Sequence, residues 1–302
     1  MAHYVKIASV LFTTRAERGQ PDAREIVLRE TANTLDALRG KGLDLVVLCE
    51  GIESFAQQVD DAESVDRPGP LLGLYTDFAR TAGCHIAGSV KLAESDHVYN
   101  SLVFIGPDGD ILGAYHKVNL TLGEIGDGVR SGNQPVVIDT AIGRIGGAIC
   151  FDLNFEEIRH GYRRLRPDII AFASMYHGGL MQQMWAYECR AYFVAALPFL
   201  GGGILDPFGR PMALTDCYTP VAQARVNLDR AMVHLDYQRE KFREIERRYG
   251  DEVCIDTPPN IGSALITSLT DQRTALDIVR EYELELLDDY LARSAEANRD
   301  NR

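Results

Sequence analysis

Gly143-Arg144-Ile145-Gly146-Gly147-Ala148-Ile149-Cys150-Phe151-Asp152-Leu153-Asn154-Phe155-Glu156-Glu157 is the stretch whose reading decides the fold. Ile145 to Ile149 is a short apolar run with two glycines, too short for a helix and fit for a buried strand. Beyond Cys150 the pattern changes period: Phe155, Ile158 and Tyr162 recur at helical spacing, with Asp152 or Asn154 as the N-cap and Glu156 and Glu157 in the first turn. Cys150 therefore stands where a strand hands over to a helix. Unpaired N–H groups and a positive dipole end at such a junction favour a thiolate, the nucleophilic form of cysteine. Taken alone, a cysteine in an apolar run is more often an ordinary packed side chain.

Upstream, Val5 to Phe12 and Leu43 to Cys49 read as buried strands, separated by a helix opened by Asp22 and closed by Gly40 and Gly42. Ile26, Leu28, Thr31, Leu35 and Leu38 share a broad face of that helix. A helix from Pro68 to Ala82 stops at Gly83. Three strands follow, His85 to Lys91, Tyr99 to Ile105 and Ile111 to Lys117, the last two joined by the turn Gly106-Pro107-Asp108-Gly109. Downstream come a strand from Asp168 to Ala173, a helix from Leu180 to Tyr192, and apolar pieces at Phe193 to Pro198, Gly201 to Leu205 and Pro211 to Leu214. A last strand covers Val221 to Leu228, and a charged helix runs from Asp229 to Tyr249. Alternation of strands and helices around hairpins makes this an α/β chain. The expected organisation is one domain over 1–249 and an extension over 250–302, with one amphipathic helix from Asp271 to Arg293 and a frayed end from Ser294. That helix either packs on its own domain or reaches a neighbouring subunit.

The chain has 302 residues, 46% hydrophobic and 25% charged, with a formal net charge of −13. So acidic a chain is a poor partner for nucleic acid or an anionic membrane. No apolar run approaches the ~18 residues of a membrane span. Six cysteines without CxxC or zinc spacing suit reduced thiols better than a disulfide framework. Because Met1 to Lys6 leads straight into a strand with no secretory segment, the expected location is the cytoplasm.

Three reactive residues share a position: Glu50, Lys117 and Cys150 each end an apolar strand. Strand ends converge on the ligand crevice of an α/β sheet, which brings distant residues together. Singly, Glu50 is a loop carboxylate and Lys117 a cation closing a hairpin. The blocks Leu45-Val46-Val47-Leu48-Cys49-Glu50, Tyr99-Asn100-Ser101-Leu102-Val103-Phe104, Tyr115-His116-Lys117-Val118-Asn119-Leu120, Gly146 to Asp152 and Asp206-Pro207-Phe208-Gly209 occur in an order that resembles the carbon–nitrogen hydrolase (nitrilase) superfamily. The resemblance covers roughly Val5 to Tyr249.

It implies an αββα sandwich, with two subunits stacking into a four-layer αββα–αββα core, and hence a homodimer or higher homo-oligomer. It also implies a covalent mechanism without cofactor or metal. Cys150 is the nucleophile, Glu50 the general base and acid, and Lys117 the oxyanion stabiliser, joined by the Phe151 N–H. Many members carry a second glutamate after the lysine, and Glu124 stands at that place. Tyr176 and His177, after the strand ending at Ser174, are the candidates to line the substrate pocket. Departures exist: Trp185 and Cys189 stand where Arg and Asn are common, and Gly201 to Gly203 where a Ser is common. Phe151-Asp152 looks more like the amidase and carbamoyl-hydrolase branches than true nitrilases. The implied activity is hydrolysis of a small amide to carboxylate and ammonia through a cysteine thioester. An N-carbamoyl amide hydrolase, a nitrilase and a catalytically silent ligand-binding protein of the same fold are the alternatives.

Overall fold

The computed structural model describes residues 1–17, 19–198 and 201–302. From the N-terminus run β1 (Tyr4–Val10), α1 (Ala23–Asp36), β2 (Leu45–Val47), α2 (Glu50–Ala56), α3 (Pro70–Ala82), β3 (His85–Glu94), β4 (His97–Ile105), β5 (Ile111–His116) and α4 (Leu122–Gly126). There follow β6 (Val137–Thr140), β7 (Gly143–Ile149), α5 (Glu156–Leu165), β8 (Ile169–Ala173), α6 (Leu180–Cys189), β9 (Tyr192–Ala196), β10 (Gly203–Leu205), β11 (Pro211–Leu214) and β12 (Val221–Asn227). The chain closes with β13 (Arg230–His234), α7 (Arg239–Tyr249), β14 (Val253–Asp256), β15 (Ser263–Ser268), α8 (Ala275–Glu281) and α9 (Leu287–Asp300).

Two six-stranded sheets form the middle of an αββα sandwich, in the orders β12-β1-β2-β3-β4-β5 and β11-β10-β9-β8-β7-β6. In each, the central strands are parallel and the flanking ones antiparallel: Ile7 faces Leu45 and Leu45 faces His85 in one sheet, Ile145 faces Ile169 and Ile169 faces Tyr192 in the other. Parallel strands covered on both faces must be apolar throughout, and Leu45 to Val47, Ile169 to Ala173 and Tyr192 to Ala196 are buried along almost their whole length. Between the sheets, the Ser9 hydroxyl of β1 donates to the Ala195 carbonyl of β9 at 2.6 Å. Helix α3 packs on β3 and β4 of the first sheet with α1 beside it, and α6 packs on β9 of the second with α5 beside it. Under the latter pair Ile158, Tyr162, Phe172, Trp185 and Phe193 share one buried cluster, each side chain contributing on the order of 1.5–3 kcal/mol from burial.

The two glycines of the decisive stretch set the spacing of these layers. A Cβ on Gly146 would stand 2.7 Å from the Tyr162 ring of α5, and one on Gly147 would stand 2.9 Å from Tyr115 Cβ and 3.0 Å from the Phe104 ring of the facing sheet. Strand β7 is thus pressed from both sides, and only hydrogen fits at either position.

Two compact units emerge: Val5–Arg225, which holds the sandwich, and Met1–Tyr4 with Val226–Arg302. The second has its own core, in which Val233, Phe242, Ile245, Val253, Ile266 and Ile278 meet around the sheet β13-β15-β14. Strand β13 and helix α7 therefore belong with the residues beyond 250, although the sequence grouped them with the domain before it.

Several expected elements are redrawn by tertiary partners. The helix expected from Asp229 begins at Arg239, because Arg230 to His234 pairs antiparallel with Ser263 to Thr267, a strand without a strong local signal. Two helices replace the single one over Asp271 to Arg293. Thr274 and Asp277 form a reciprocal capping box that starts α8, and Glu283, at φ 48°, turns the chain before α9. That last helix stays regular to Asp300, past the fraying expected from Ser294. Neither Asp152 nor Asn154 caps α5, since residues Cys150–Asn154 form a 3₁₀ turn and Phe155 precedes the helix. Asp152 instead points inward, accepting from Tyr115 Oη at 2.7 Å, Asn119 N at 2.7 Å and Ile149 N at 3.1 Å. Helix α6 ends at Cys189, three residues short of Tyr192, with Arg190 left-handed at φ 57°.

Candidate active site

The strand ends do converge. Strand β2 delivers Glu50 at the first residue of α2, a short helix that the sequence left as a loop. The end of β5 delivers Lys117, and β7 delivers Cys150, all three lining one cleft of about 1000 Å³. Glu50 and Lys117 are buried, and Cys150 keeps 9% of its surface exposed. Cys150 is a non-glycine residue at φ 46°, a left-handed conformation imposed by the step from β7 into the 3₁₀ turn. Such strain persists only where the surroundings fix it, and here the inward Asp152 ties the turn to β5 and to Asn119.

Lys117 Nζ lies 2.9 Å from Glu50 Oε1 and 2.9 Å from each oxygen of Glu124. Glu124 reaches it from α4, whose start is a second capping box: Thr121 N donates to Glu124 Oε2 at 2.8 Å, and Glu124 N to Thr121 Oγ1 at 3.3 Å. The local pattern Thr121-x-x-Glu124 thus aims the carboxylate. Asn100 of β4 holds both acids with one amide, its Nδ2 donating to Glu50 Oε1 at 2.9 Å and Glu124 Oε1 at 2.8 Å. The second oxygen of Glu50 accepts from Met175 N at 3.0 Å. The Cys150 thiol interacts with both the Glu50 carboxylate and the Met175 N–H.

The electrostatics follow from burial with too few cations. Burial depresses the charged form of Lys117, but the carboxylates of Glu50 and Glu124 and the nearby Cys150 outweigh it and hold the ammonium above its ordinary value. Glu124 is lowered: burial works against its charge, and Lys117, Asn100 and Thr121 overcome burial. Cys150 is pushed up to about 11, by burial first and by the Glu50 charge second, with Lys117 opposing. The strand-to-helix junction was expected to ease ionisation of this thiol. It does not: burial raises the thiol most, and the Glu50 anion that faces it adds to this. So raised, Cys150 is held as a thiol at neutral pH, beside the Glu50 carboxylate.

Phe151 follows Cys150 in the 3₁₀ turn, with its ring 38% exposed and in edge contact with Phe155. Neither Tyr176 nor His177 lines the cleft. Tyr176 packs against the cluster beneath α5 and α6, and His177 is exposed with Nδ1 accepting from Gly179 N at 2.9 Å. Met175, one residue earlier, takes the wall position expected of them. Trp185 is a core residue, its indole N–H donating to Leu153 O at 3.0 Å, and Cys189 packs beside Arg159. His116 turns away from Lys117 to Ser101 Oγ at 2.8 Å and stacks on Tyr99. Asn100, Thr121 and Met175 were missed as site residues. Asn100 had a readable signal, a lone amide in the apolar run of β4, and Met175 had none because its N–H contributes.

Comparison with known proteins gives the family. The sequence profile of the carbon-nitrogen hydrolase family matches residues 13–231, and the chain belongs to that family. It is 26% identical over 211 residues to a deaminated glutathione amidase of Dictyostelium discoideum, spanning 59% of this chain and 72% of that relative. Among solved structures it resembles Nit3 of Saccharomyces cerevisiae, a member of branch 10 of the nitrilase superfamily. There the TM-score is 0.64 and the identity 17%, over 82% of this chain and 95% of that one. It also resembles the amidase of Nesterenkonia sp. AN1 (TM-score 0.60, 16% identity, 82% and 97% covered), solved as a variant with an acetamide moiety on its active-site cysteine. No described helix is long and apolar enough to cross a membrane.

Proposed function

We propose that the protein hydrolyses a linear amide to a carboxylate and ammonia through a thioester on Cys150. The observation that carries this reading is the convergence of Cys150, Glu50 and Lys117 in one cleft, with Glu50 and Lys117 2.9 Å apart. The Cys150 proton passes to Glu50 as sulfur attacks the amide carbon. The resulting oxyanion is met by the Lys117 ammonium and the Phe151 N–H. Glu50 returns the proton to nitrogen, the carbon–nitrogen bond breaks, and ammonia leaves. Water then gives a proton to Glu50 as its oxygen attacks the thioester, and the proton returns to the Cys150 sulfur with release of the acid. Glu124 keeps Lys117 charged and in place throughout. N-carbamoyl amides and nitriles are the alternative substrates, and family likeness supports action as a homodimer or larger assembly. Mass spectrometry of the intact protein after a rapid quench with a panel of amides, carbamoyl compounds and nitriles tests the scheme. The expected product is an acyl adduct on the Cys150 peptide together with released ammonia. Turnover without any adduct requirement, as in an active Cys150→Ala protein, would refute it.

A further inference from the structure

Asn100 ties three parts of the reacting cluster together. Its backbone carbonyl accepts from Lys117 N at 2.8 Å, which holds the lysine against β4. Its side-chain amide uses both hydrogens on the two acids, reaching Glu50 Oε1 at 2.9 Å and Glu124 Oε1 at 2.8 Å. Lys117 Nζ is also 2.9 Å from each of those oxygens. The two oxygens thus lie side by side between one ammonium and one amide. This contact fixes the orientation of the amide, because its oxygen turned to the same place would face two acceptors. Asn100 is 3% exposed, and its Oδ1 has no hydrogen-bond partner among the described residues. Only the N–H end of this buried side chain is bonded.

Two carboxylates placed side by side ordinarily settle their repulsion by holding one proton between them. Lys117 brings a single positive charge to this pair. Of the other described cations lining the cleft, Lys91 is paired with Glu53 and Arg24 with Asp61. A proton held between the two Oε1 atoms would leave Glu50 unable to accept a second one from Cys150. Two N–H donors favour the ionised form of both acids. Glu124 is lowered accordingly: burial opposes its charge, and Lys117 and then Asn100 support it.

We propose that Asn100 is a positioning residue that lets Glu50 and Glu124 share Lys117 without sharing a proton, so that Glu50 stays open to the proton of Cys150. The role rests on the amide-hydrolase reading, and its first test needs no turnover. Urea midpoints are measured from pH 5 to 8 for the wild type, Asn100→Leu, Glu124→Gln and the double variant. Leucine is close to asparagine in shape and Oδ1 has no partner to lose, so the substitution removes the donor pair. Without those donors the folded pair takes a proton from solvent more readily than the unfolded carboxyls do. A pair raised in this way contributes stability below the unfolded value and loses it as pH rises. The gap between wild type and Asn100→Leu should therefore widen from pH 5 to 8. In the Glu124→Gln background, where no pair exists, the gap caused by Asn100→Leu should stay constant. The other groups facing the pair do not mimic this. Cys150 and Cys49, pushed up to about 11 and about 12, stay neutral, and Lys117 stays charged. Glu53 with Lys91, and His116 on Ser101, are common to all four proteins. Asn100→Ala goes through the same cycle if the leucine variant unfolds in more than one step. A gap of constant size in both backgrounds, or one that widens equally in both, overturns the proposal. On a substrate amide the acid limb of kcat should move up by about one unit or more in Asn100→Leu. Activity lost evenly at every pH would also overturn the role. If the wild type releases ammonia from no amide, the amidase reading fails, and the urea cycle still decides whether Asn100 keeps the two acids from sharing a proton.

Discussion

Lys117 Nζ sits 2.9 Å from Glu50 Oε1 with both side chains buried, so the cleft holds this carboxylate and this ammonium as an ion pair. Glu124 competes for the same ammonium, leaving one more carboxylate than cation beside Cys150. Burial raises the thiol most, and the Glu50 charge adds to it. In the proposed mechanism proton transfer has a second effect: if Glu50 takes the Cys150 proton, its hold on Lys117 weakens, and the ammonium becomes available to the forming oxyanion.

Glu50→Gln should therefore separate ionisation from catalysis. Removing the charge that raises Cys150 lowers the thiol from about 11, so iodoacetamide should label it faster at pH 8 than in the wild type. Amide hydrolysis should fall on the order of 10²–10⁴-fold through loss of the general base. Peptide mapping must follow the Cys150 fragment, since Cys217 and Cys254 are exposed and label regardless. Slower labelling of Cys150 in the variant would show that Glu50 helps remove the thiol proton more than its charge and hydrogen bond hold that proton in place.

Lys117→Met should lose both activity and stability. Withdrawing one oxyanion donor typically costs about 2.7–4 kcal/mol of barrier. Stripping the cation from the buried Glu50 carboxylate and the half-buried Glu124 typically costs up to about 3–5 kcal/mol of stability unless they take up a proton. Cys150→Ser, which leaves the ion pairs intact, should lose turnover with little change in urea midpoint. Equal midpoints for the two variants would show that the buried pair is not what holds this region together.

The sheet core was legible in the sequence because apolar strands carry their own signal, and the meeting of Glu50, Lys117 and Cys150 in one cleft because they sit at strand ends. Asp152 was misread because capping and inward bonding use the same side chain. Only Tyr115 and Asn119, from a different strand and loop, decide between them. Strand β13 was hidden for a related reason: Ala231, Met232 and Val233 become a strand through pairing with a distant segment. Pocket walls such as Met175 depend on which backbone N–H faces the cleft, and residue type does not encode that.

Gly147→Ala should connect packing to chemistry. The new methyl would stand 2.9 Å from Tyr115 Cβ and 3.0 Å from the Phe104 ring, on a strand held from the other side by Tyr162. Overpacking of this kind typically costs about 1–3 kcal/mol. Relief by moving β7 would also displace Cys150, three residues on. Both melting temperature and kcat/KM should drop, whereas Gly73→Ala, with open space around it in α3, should leave them near wild type. A Gly147→Ala protein with unchanged melting temperature would contradict the tight interlayer spacing.

Glu124→Gln should reveal its charge through the pH dependence of stability. The folded protein holds the Glu124 carboxyl below its unperturbed 4.5, because Lys117, Asn100 and Thr121 outweigh burial. A lowered carboxyl means that the unfolded chain binds the proton more tightly, so the stabilisation is present above pH 4.5 and is lost as pH falls through the folded value. Lys117, raised above its ordinary value, remains charged throughout this window and adds no slope of its own. Urea midpoints of wild type and Glu124→Gln from pH 7 down to 3 should differ most at the upper end and converge below 4.5. A gap that stays constant over that range would assign Glu124 a packing role, with its ion pair to Lys117 contributing nothing measurable to folding.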